Sequence, residues 1–153
     1  MISSYEIIPK VGLGNLKFGM DMEKVVSELG EPEEVDNFES EEEMNAVLLH
    51  YWERGVSLFF EGHTRQVVAG IETDHPDAKL FGEYVIEMTE EEVIDLMKRN
   101  GFHDFDREAE AGEIRLSYEE EMIDFYLKKG RVAFVNWDTI VDEDGNLTEL
   151  PAS

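Results

Sequence analysis

Residues 19–26 read GMDMEKVV, and residues 87–94 read EMTEEEVI. Each stretch has a methionine, a residue that can cap a helix, acidic residues for the first turn and a β-branched pair. Asp21 and Thr89 hold the capping position, and Glu92 lies three residues after Thr89 as in a capping box. Both stretches therefore predict the start of an amphipathic helix, and their likeness indicates that one unit occurs twice in the chain.

Three further pairs of segments match, in the same order, after these two helices. They are LHY at 49–51 with LSY at 116–118, VSLFF at 56–60 with IDFYL at 123–127, and AGI at 69–71 with AFV at 133–135. Their apolar residues alternate with a period of two, which is typical of strands with one buried face. The sequence thus predicts an α+β fold, a tandem repeat of a helix followed by a three-stranded antiparallel meander, with a joint sheet and the helices on one face. The predicted division is residues 1–75, with an N-terminal lead-in, and residues 76–153, with a C-terminal tail.

The same alternation assigns each strand residue to one of two sheet faces. The predicted helix-facing residues include Val67, Ala69 and Ile71 in the first unit and Ala133 and Val135 in the second. A second face remains, on which aromatic and polar side chains mix as they do in protein interfaces. Its candidate partner-binding residues are His50, Trp52, Phe59, Arg115, Tyr126, Phe134 and Asn136. The alternative is that the N-terminal segment, the tail or a second copy of the chain covers this face.

The chain is strongly acidic, with 37 Asp and Glu against 13 Lys and Arg and a formal net charge of −24. This charge argues against nucleic acid as a partner, because binding to phosphates depends on Lys and Arg. It also argues against anionic membrane surfaces and favours a basic protein as a partner. Solubility or a salt-rich cytoplasm would explain the same acidity without any partner. Cysteine is absent, and no apolar leader or membrane-length apolar run is visible, so we expect a cytoplasmic protein.

The segments VGLGNLKFGM at 11–20 and LGEP at 29–32, on either side of the first helix, carry a family resemblance. Together they resemble the opening motif of the β-lactamase-inhibitor-protein-like superfamily, which also includes the small lipoprotein of outer-membrane barrel assembly. The resemblance spans about residues 12–138 and implies helices on one face of a joint sheet whose other, concave face binds a protein. It brings no catalytic residues. The disulfides or lipidated cysteine of such relatives are absent here, so the fold is expected to carry over without the partner.

Motifs that would indicate catalysis or a cofactor are missing from the sequence. There is no nucleophile elbow, phosphate-binding loop or dinucleotide fingerprint, and no pair of carboxylates stands out among so many. His75 and His103 lie near aspartates but lack the spacing of metal ligands. The turn at 142–146 resembles the start of a calcium loop, yet it lacks the glycine and the final acid of such a loop. We therefore expect no enzyme, no cofactor and no metal.

These observations lead to one functional hypothesis and one alternative. The chain is expected to be a non-catalytic protein-binding module, in its sharpest form an inhibitor or immunity protein for a basic partner, that uses the aromatic sheet face. The alternative is a self-associating structural protein whose sheet face forms a homodimer.

Overall fold

The structure is a computed structural model that describes residues 4–38, 45–62 and 66–140. Two helices lie in this part of the chain, α1 (Met22–Leu29) and α2 (Glu90–Arg99), with short 3₁₀ turns at Trp52–Arg54 and Glu119–Glu121. The strands are β1 (Glu6–Ile8), β2 (Gly12–Leu13), β3 (Leu16–Lys17), β4 (Glu34–Phe38), β5 (Asn45–Tyr51), β6 (Val56–Gly62), β7 (Val67–Thr73), β8 (Lys79–Leu80), β9 (Glu83–Tyr84), β10 (Asp106–Glu110), β11 (Glu113–Tyr118), β12 (Ile123–Lys128) and β13 (Arg131–Asp138).

Most of the strands belong to one eight-stranded antiparallel sheet with the order β10-β11-β12-β13-β7-β6-β5-β4. The antiparallel ladder between β7 and β13 joins the two halves of the chain, with Gly70 opposite Asp138. β4 and β10 are the edge strands of this sheet. A second, five-stranded sheet has the order β3-β2-β1-β8-β9, and its β1 and β8 run parallel.

The predicted fold class is wrong, because the chain is mostly β. The described part has two short helices, one five-stranded sheet and the eight-stranded sheet, which we call the large sheet. After each helix, four strands enter the large sheet instead of a three-stranded meander: β4–β7 after α1 and β10–β13 after α2. The N-terminal segment expected to be a lead-in contributes β1, β2 and β3 to the second sheet, and its Ile7, Leu13 and Leu16 share the core with the helices.

The core is one continuous cluster of buried apolar side chains drawn from both halves of the sequence. It includes Val25 and Leu58 from the first half and Leu96 and Phe125 from the second, all fully buried. The predicted division at residues 75 and 76 falls between β7 and β8. That division stays a prediction.

The two helix starts differ in how they are capped. Thr89 Oγ1 accepts from the backbone N–H of Glu92 at 3.2 Å, and the Glu92 carboxylate accepts from the backbone N–H of Thr89 at 2.9 Å. The predicted capping box is therefore confirmed, and its hydrogen bonds lower the pKa of Glu92. Asp21 does occupy the N-cap position of α1, but its side chain makes no capping hydrogen bond.

Replacing Thr89 by alanine is expected to lower the free energy of unfolding by about 1 kcal/mol, because the amide of Glu92 loses its acceptor. Glu91→Ala is the matched control, since it removes an exposed charge from the same first turn and leaves the capping box in place, and a smaller change is expected. Chemical denaturation of both variants measures the difference. Equal losses in the two variants would contradict this account of the caps.

Two β-bulges correct the predicted face of several residues. The register shifts between Phe59 and Phe60 opposite β7, and again between Tyr126 and Leu127 opposite β13. A bulge inserts one unpaired residue into a strand. The side chains before that residue therefore point to the opposite face from the one that simple alternation predicts. The core therefore contains Val68 and Val132, whereas Val67 and Ala69 form a small separate cluster with Phe59. The predicted helix-facing positions of Val67, Ala69 and Ala133 are wrong for this reason, while those of Ile71 and Val135 are right.

Candidate functional site

The face of the large sheet that points away from the core carries one polar side chain from every strand, in a continuous row. Adjacent members are direct partners across neighbouring strands, so the register of the whole sheet defines the row. From β4 to β10 the members are Glu34, His50, Ser57, Glu72, Asn136, Asp124, Ser117 and Asp106. We call this set the polar row. Four of its members are carboxylates, and none is Lys or Arg.

The structure places the seven predicted site residues on or beside this face. His50 and Asn136 belong to the polar row. Phe59 lies two residues after Ser57 in β6 and is the next side chain on the same face. Arg115, Tyr126 and Phe134 are direct partners across β11, β12 and β13 and are half-buried. Trp52 lies just beyond the end of β5, in the 3₁₀ turn, with 56% of its surface exposed.

The aromatic side chains form two stacked pairs on this face. The rings of Tyr126 and Phe134 stack with centroids 4.5 Å apart. The Trp52 ring stacks on the His50 imidazole at 5.1 Å. Phe134 and Trp52 also line one shallow depression, so the two pairs border a common surface.

Arg115 is already paired within the chain. Its guanidinium lies 2.9 Å from the Glu108 carboxylate, and its buried Nε has no hydrogen-bond partner among the described residues. The neighbouring Tyr126 hydroxyl and the charge of Glu108 raise the pKa of Arg115. Glu108 therefore already neutralises part of the charge that Arg115 could offer to a partner.

A hollow of about 360 Å³ opens at the centre of this face, where β7 and β13 join the two halves. Its lining includes the carboxylates of Glu72 and Asp138, the amide of Asn136, and the rings of Phe59 and Tyr126. Gly70 forms its floor. A Cβ on Gly70 would clash with Asp138 Oδ1 and would lie 3.3 Å from Phe59 Cβ, so only glycine leaves room for the carboxylate over the sheet.

The carboxylates at this hollow are held close together and away from water. Burial raises the pKa of Asp138 to about 6, and the negative charges of Asp124, Glu61 and Glu72 add to the effect. Asn136 donates to Asp138 at 3.4 Å, which acts in the opposite direction. Burial also raises the pKa of Glu72, against the influence of the nearby His50. Among the described residues, Asp138 forms no ion pair with a Lys or Arg, although the charge of Arg115 acts on the neighbouring Asp124.

Sequence reasoning placed Asp124 on this face but missed Glu72 and Asp138 as site residues. Extending the period of two along β13 would have placed Asp138 on the same face as Asn136. Glu72 directly follows Ile71, one residue beyond the segment that the sequence pattern marks as a strand, and the same alternation would have placed it there too.

The other histidines considered as ligands lie elsewhere. His75 stacks on Tyr5 at 3.7 Å, and its Nδ1 accepts from the backbone N–H of Asp77. His103 lies with Asp104 and Asp106 in a hollow of about 340 Å³ whose charged side chains are exposed. The calcium-like turn at 142–146 lies outside the described residues, as does most of the predicted tail.

The described part of the N-terminal segment does not cover the candidate face. From Glu6 onward it forms β1 of the second sheet, with Ile7 in the core. The N-terminal segment, the tail and a second copy of the chain were the three alternatives for covering this face. The structure excludes the first of them from Glu6 onward.

Comparison with models of known protein families and with curated proteins found no match. Among solved structures, the chain is similar to an extracellular protein containing an SCP domain from Bacillus anthracis str. Ames, with 15% sequence identity and a TM-score of 0.48. The likeness covers 90% of this chain and 47% of that protein, so the chain spans about half of its length. Neither helix in the described part of the chain has the length and apolar character needed to cross a bilayer. The cytoplasmic location and the resemblance to the β-lactamase-inhibitor-protein-like superfamily stay predictions.

Proposed function

We propose that the chain is a non-catalytic binding module whose polar row and central hollow receive a basic segment of another protein. The observation that carries this proposal is the Asp138 carboxylate, which is partly buried beside Glu72 and Asp124 and, among the described residues, forms no ion pair with a Lys or Arg. Such a group gains most from an incoming ammonium or guanidinium, since the partner's charge replaces the water that burial has removed.

The size and lining of the hollow fit one long basic side chain. Its volume of about 360 Å³ lies at the lower end of small ligand pockets. The rings of Phe59 and Tyr126 can contact the aliphatic stem or the face of a guanidinium, while Glu72 and Asp138 accept its N–H groups. Carboxylates at intervals along the polar row would then pair with further basic residues of a segment lying across the strands.

The overall charge supports the same choice of partner. With a net charge of −24, the chain attracts basic proteins over long distances and repels acidic ones. A second copy would bring its own polar row against this one, so like charges would meet. The predicted homodimer is for this reason the weaker alternative, and light scattering tests it. A monomer at all concentrations excludes the dimer, and a dimer dispersed by Trp52→Ala would overturn the proposal.

A fluorescent peptide of nine arginines serves as the test ligand, with anisotropy as the measurement. The double variant Glu72→Gln with Asp138→Asn removes two charges at the hollow. Its control, Glu23→Gln with Glu91→Gln, removes two exposed charges from the first turns of the helices on the other side of the sheet. Both variants have the same net charge, so long-range attraction is equal. We expect the hollow variant to bind at least about tenfold more weakly than the control, which corresponds to about 1.4 kcal/mol.

Two further measurements sharpen this test. Trp52→Ala removes an exposed ring and should weaken binding by more than about 1 kcal/mol while leaving the unfolding free energy nearly unchanged. Affinity should also fall as the pH drops below about 6, because Asp138 must lose its proton to pair with the peptide. Equal affinities of the hollow and control variants would show that only net charge is recognised and would refute the proposed site.

A further inference from the structure

Three potential metal ligands meet at one end of the polar row, where edge strand β4 pairs with β5. Glu34 and Asp36 are two residues apart on β4 and therefore point to the same face. His50 is the direct cross-strand partner of Glu34. Glu34, Asp36 and His50 each offer one ligand atom, and these atoms all lie within 4.8 Å of one another. Among the described residues, this is the one group of three or more His and acidic side chains so arranged.

The His50 ring is held so that one nitrogen faces the two carboxylates. Its Nδ1 lies 2.8 Å from Ser57 Oγ, and its Nε2 lies 2.8 Å from Asp36 Oδ2. Trp52 stacks on the same ring and limits its rotation. Metal-binding histidines usually have their second ring nitrogen fixed by a hydrogen bond in this way, which sets the tautomer and aims the ligand nitrogen.

The distance between Nε2 and Asp36 Oδ2 is that of a hydrogen bond, in which one proton lies between the two atoms. If Nδ1–H donates to Ser57 Oγ instead, the Nε2 lone pair is available to bind a metal ion together with the Asp36 carboxylate. If Nε2 keeps its proton, the contact is an ordinary hydrogen bond to Asp36. The geometry thus permits a proton and a metal ion to compete for one position.

We propose that Glu34, Asp36 and His50 bind a divalent transition-metal ion of the zinc type. An imidazole nitrogen with two carboxylate oxygens is a ligand set that suits Zn²⁺ and related ions better than Mg²⁺ or Ca²⁺, which prefer oxygen alone. The exposed edge of β4 gives the ion access from solvent, and the acidic surface raises its local concentration. Sequence spacing alone could not indicate this site, because its ligands come from two strands and meet only through their register.

Titration with Co²⁺, followed by its visible absorption, and competition with Zn²⁺ test the proposal. High salt should be present so that weak binding to the many surface carboxylates is screened. The expected result is one saturable site per chain. Loss of a ligand's hydrogen-bond partner typically lowers metal affinity about 10–100-fold, so Ser57→Ala should show a loss of that size and His50→Ala or His50→Gln a larger one.

His103→Ala is the matched control, because His103 also lies beside two aspartates but makes no such cluster with them. It should bind Co²⁺ as the natural sequence does. Asp138→Asn should also keep its metal affinity, which separates this site from the proposed peptide site. Binding that does not saturate, or that survives in both His50 variants while circular dichroism shows them folded, would overturn the proposal and leave a simple His–Asp hydrogen bond.

Discussion

Replacing Trp137 by alanine is expected to lower the free energy of unfolding by about 3–5 kcal/mol, the usual loss for a large aromatic residue in a core. Trp137 is completely buried in β13 and is the largest fully buried side chain of the described residues. Its indole Nε1 donates to the backbone carbonyl of Gly12 at 3.1 Å. One side chain thus ties the large sheet to β2 of the second sheet, across 125 residues of sequence. Urea denaturation measures the loss.

Trp137→Phe separates packing from hydrogen bonding. Phenylalanine keeps much of the apolar volume but leaves the Gly12 carbonyl without its donor, a change that costs about 1–3 kcal/mol. The difference between the two variants then reports the packing of the ring. If Trp137→Ala were no more destabilising than Trp137→Phe, the indole would contribute only its hydrogen bond, contrary to the buried position described here.

Asp138→Asn is expected to stabilise the protein at neutral pH and to have little effect in acid. The folded-state pKa of Asp138 is raised to about 6, above the ordinary value of 3.8 that applies in the unfolded chain. Between those two values the native state binds more protons, so the free energy of unfolding falls as the pH rises through that window. Above about pH 6 the buried charge is fully present, and removing it should gain about 1–2 kcal/mol after allowance for partial solvent contact. Denaturation of both proteins from pH 4 to pH 7.5 measures the difference.

Asp124→Asn tests the cause of this shift. Burial is the largest contribution to the raised pKa of Asp138, and the charge of Asp124 is the next. Removing the Asp124 charge should therefore lower the pKa of Asp138 partway, which NMR titration of the Asp138 carboxyl can follow. A stability gain in Asp138→Asn that is the same at every pH would show that the charge of Asp138 is not responsible.

Local patterns predicted the helices well and the strands unevenly. The capping box of Thr89 and Glu92 depends on neighbours in sequence, so it could be read directly. The fold class was wrong because several strands carry no periodic signal. β2, β3, β8 and β9 have two residues each, and β10 reads DREAE with every residue exposed. Such segments become strands through backbone pairing with a neighbour, which single-sequence patterns do not record.

The candidate site could be predicted only in part for a related reason. Alternation placed His50, Phe59, Tyr126 and Asn136 on a common face, because each follows a short, regular apolar pattern. How the carboxylates meet at the hollow, and how Glu34, Asp36 and His50 meet in a cluster, depends on the register between strands. That register is set by turns and by the bulges beside Phe59 and Tyr126, where one extra residue changes the alignment of everything beyond it.

The two edge strands of the large sheet influence whether molecules of this protein aggregate at high concentration. The unpaired backbone groups of an edge strand can pair with another chain and start fibrous aggregation. Natural proteins commonly prevent this with charged side chains on the edge strand. β4 contributes Glu34 and Asp36 there, and β10 contributes Asp106, Glu108 and Glu110. The acidic edge strands of two molecules repel each other while these carboxylates are ionised. The acidity of the chain thus protects it against sideways growth of its own sheet, whatever else binds to its face.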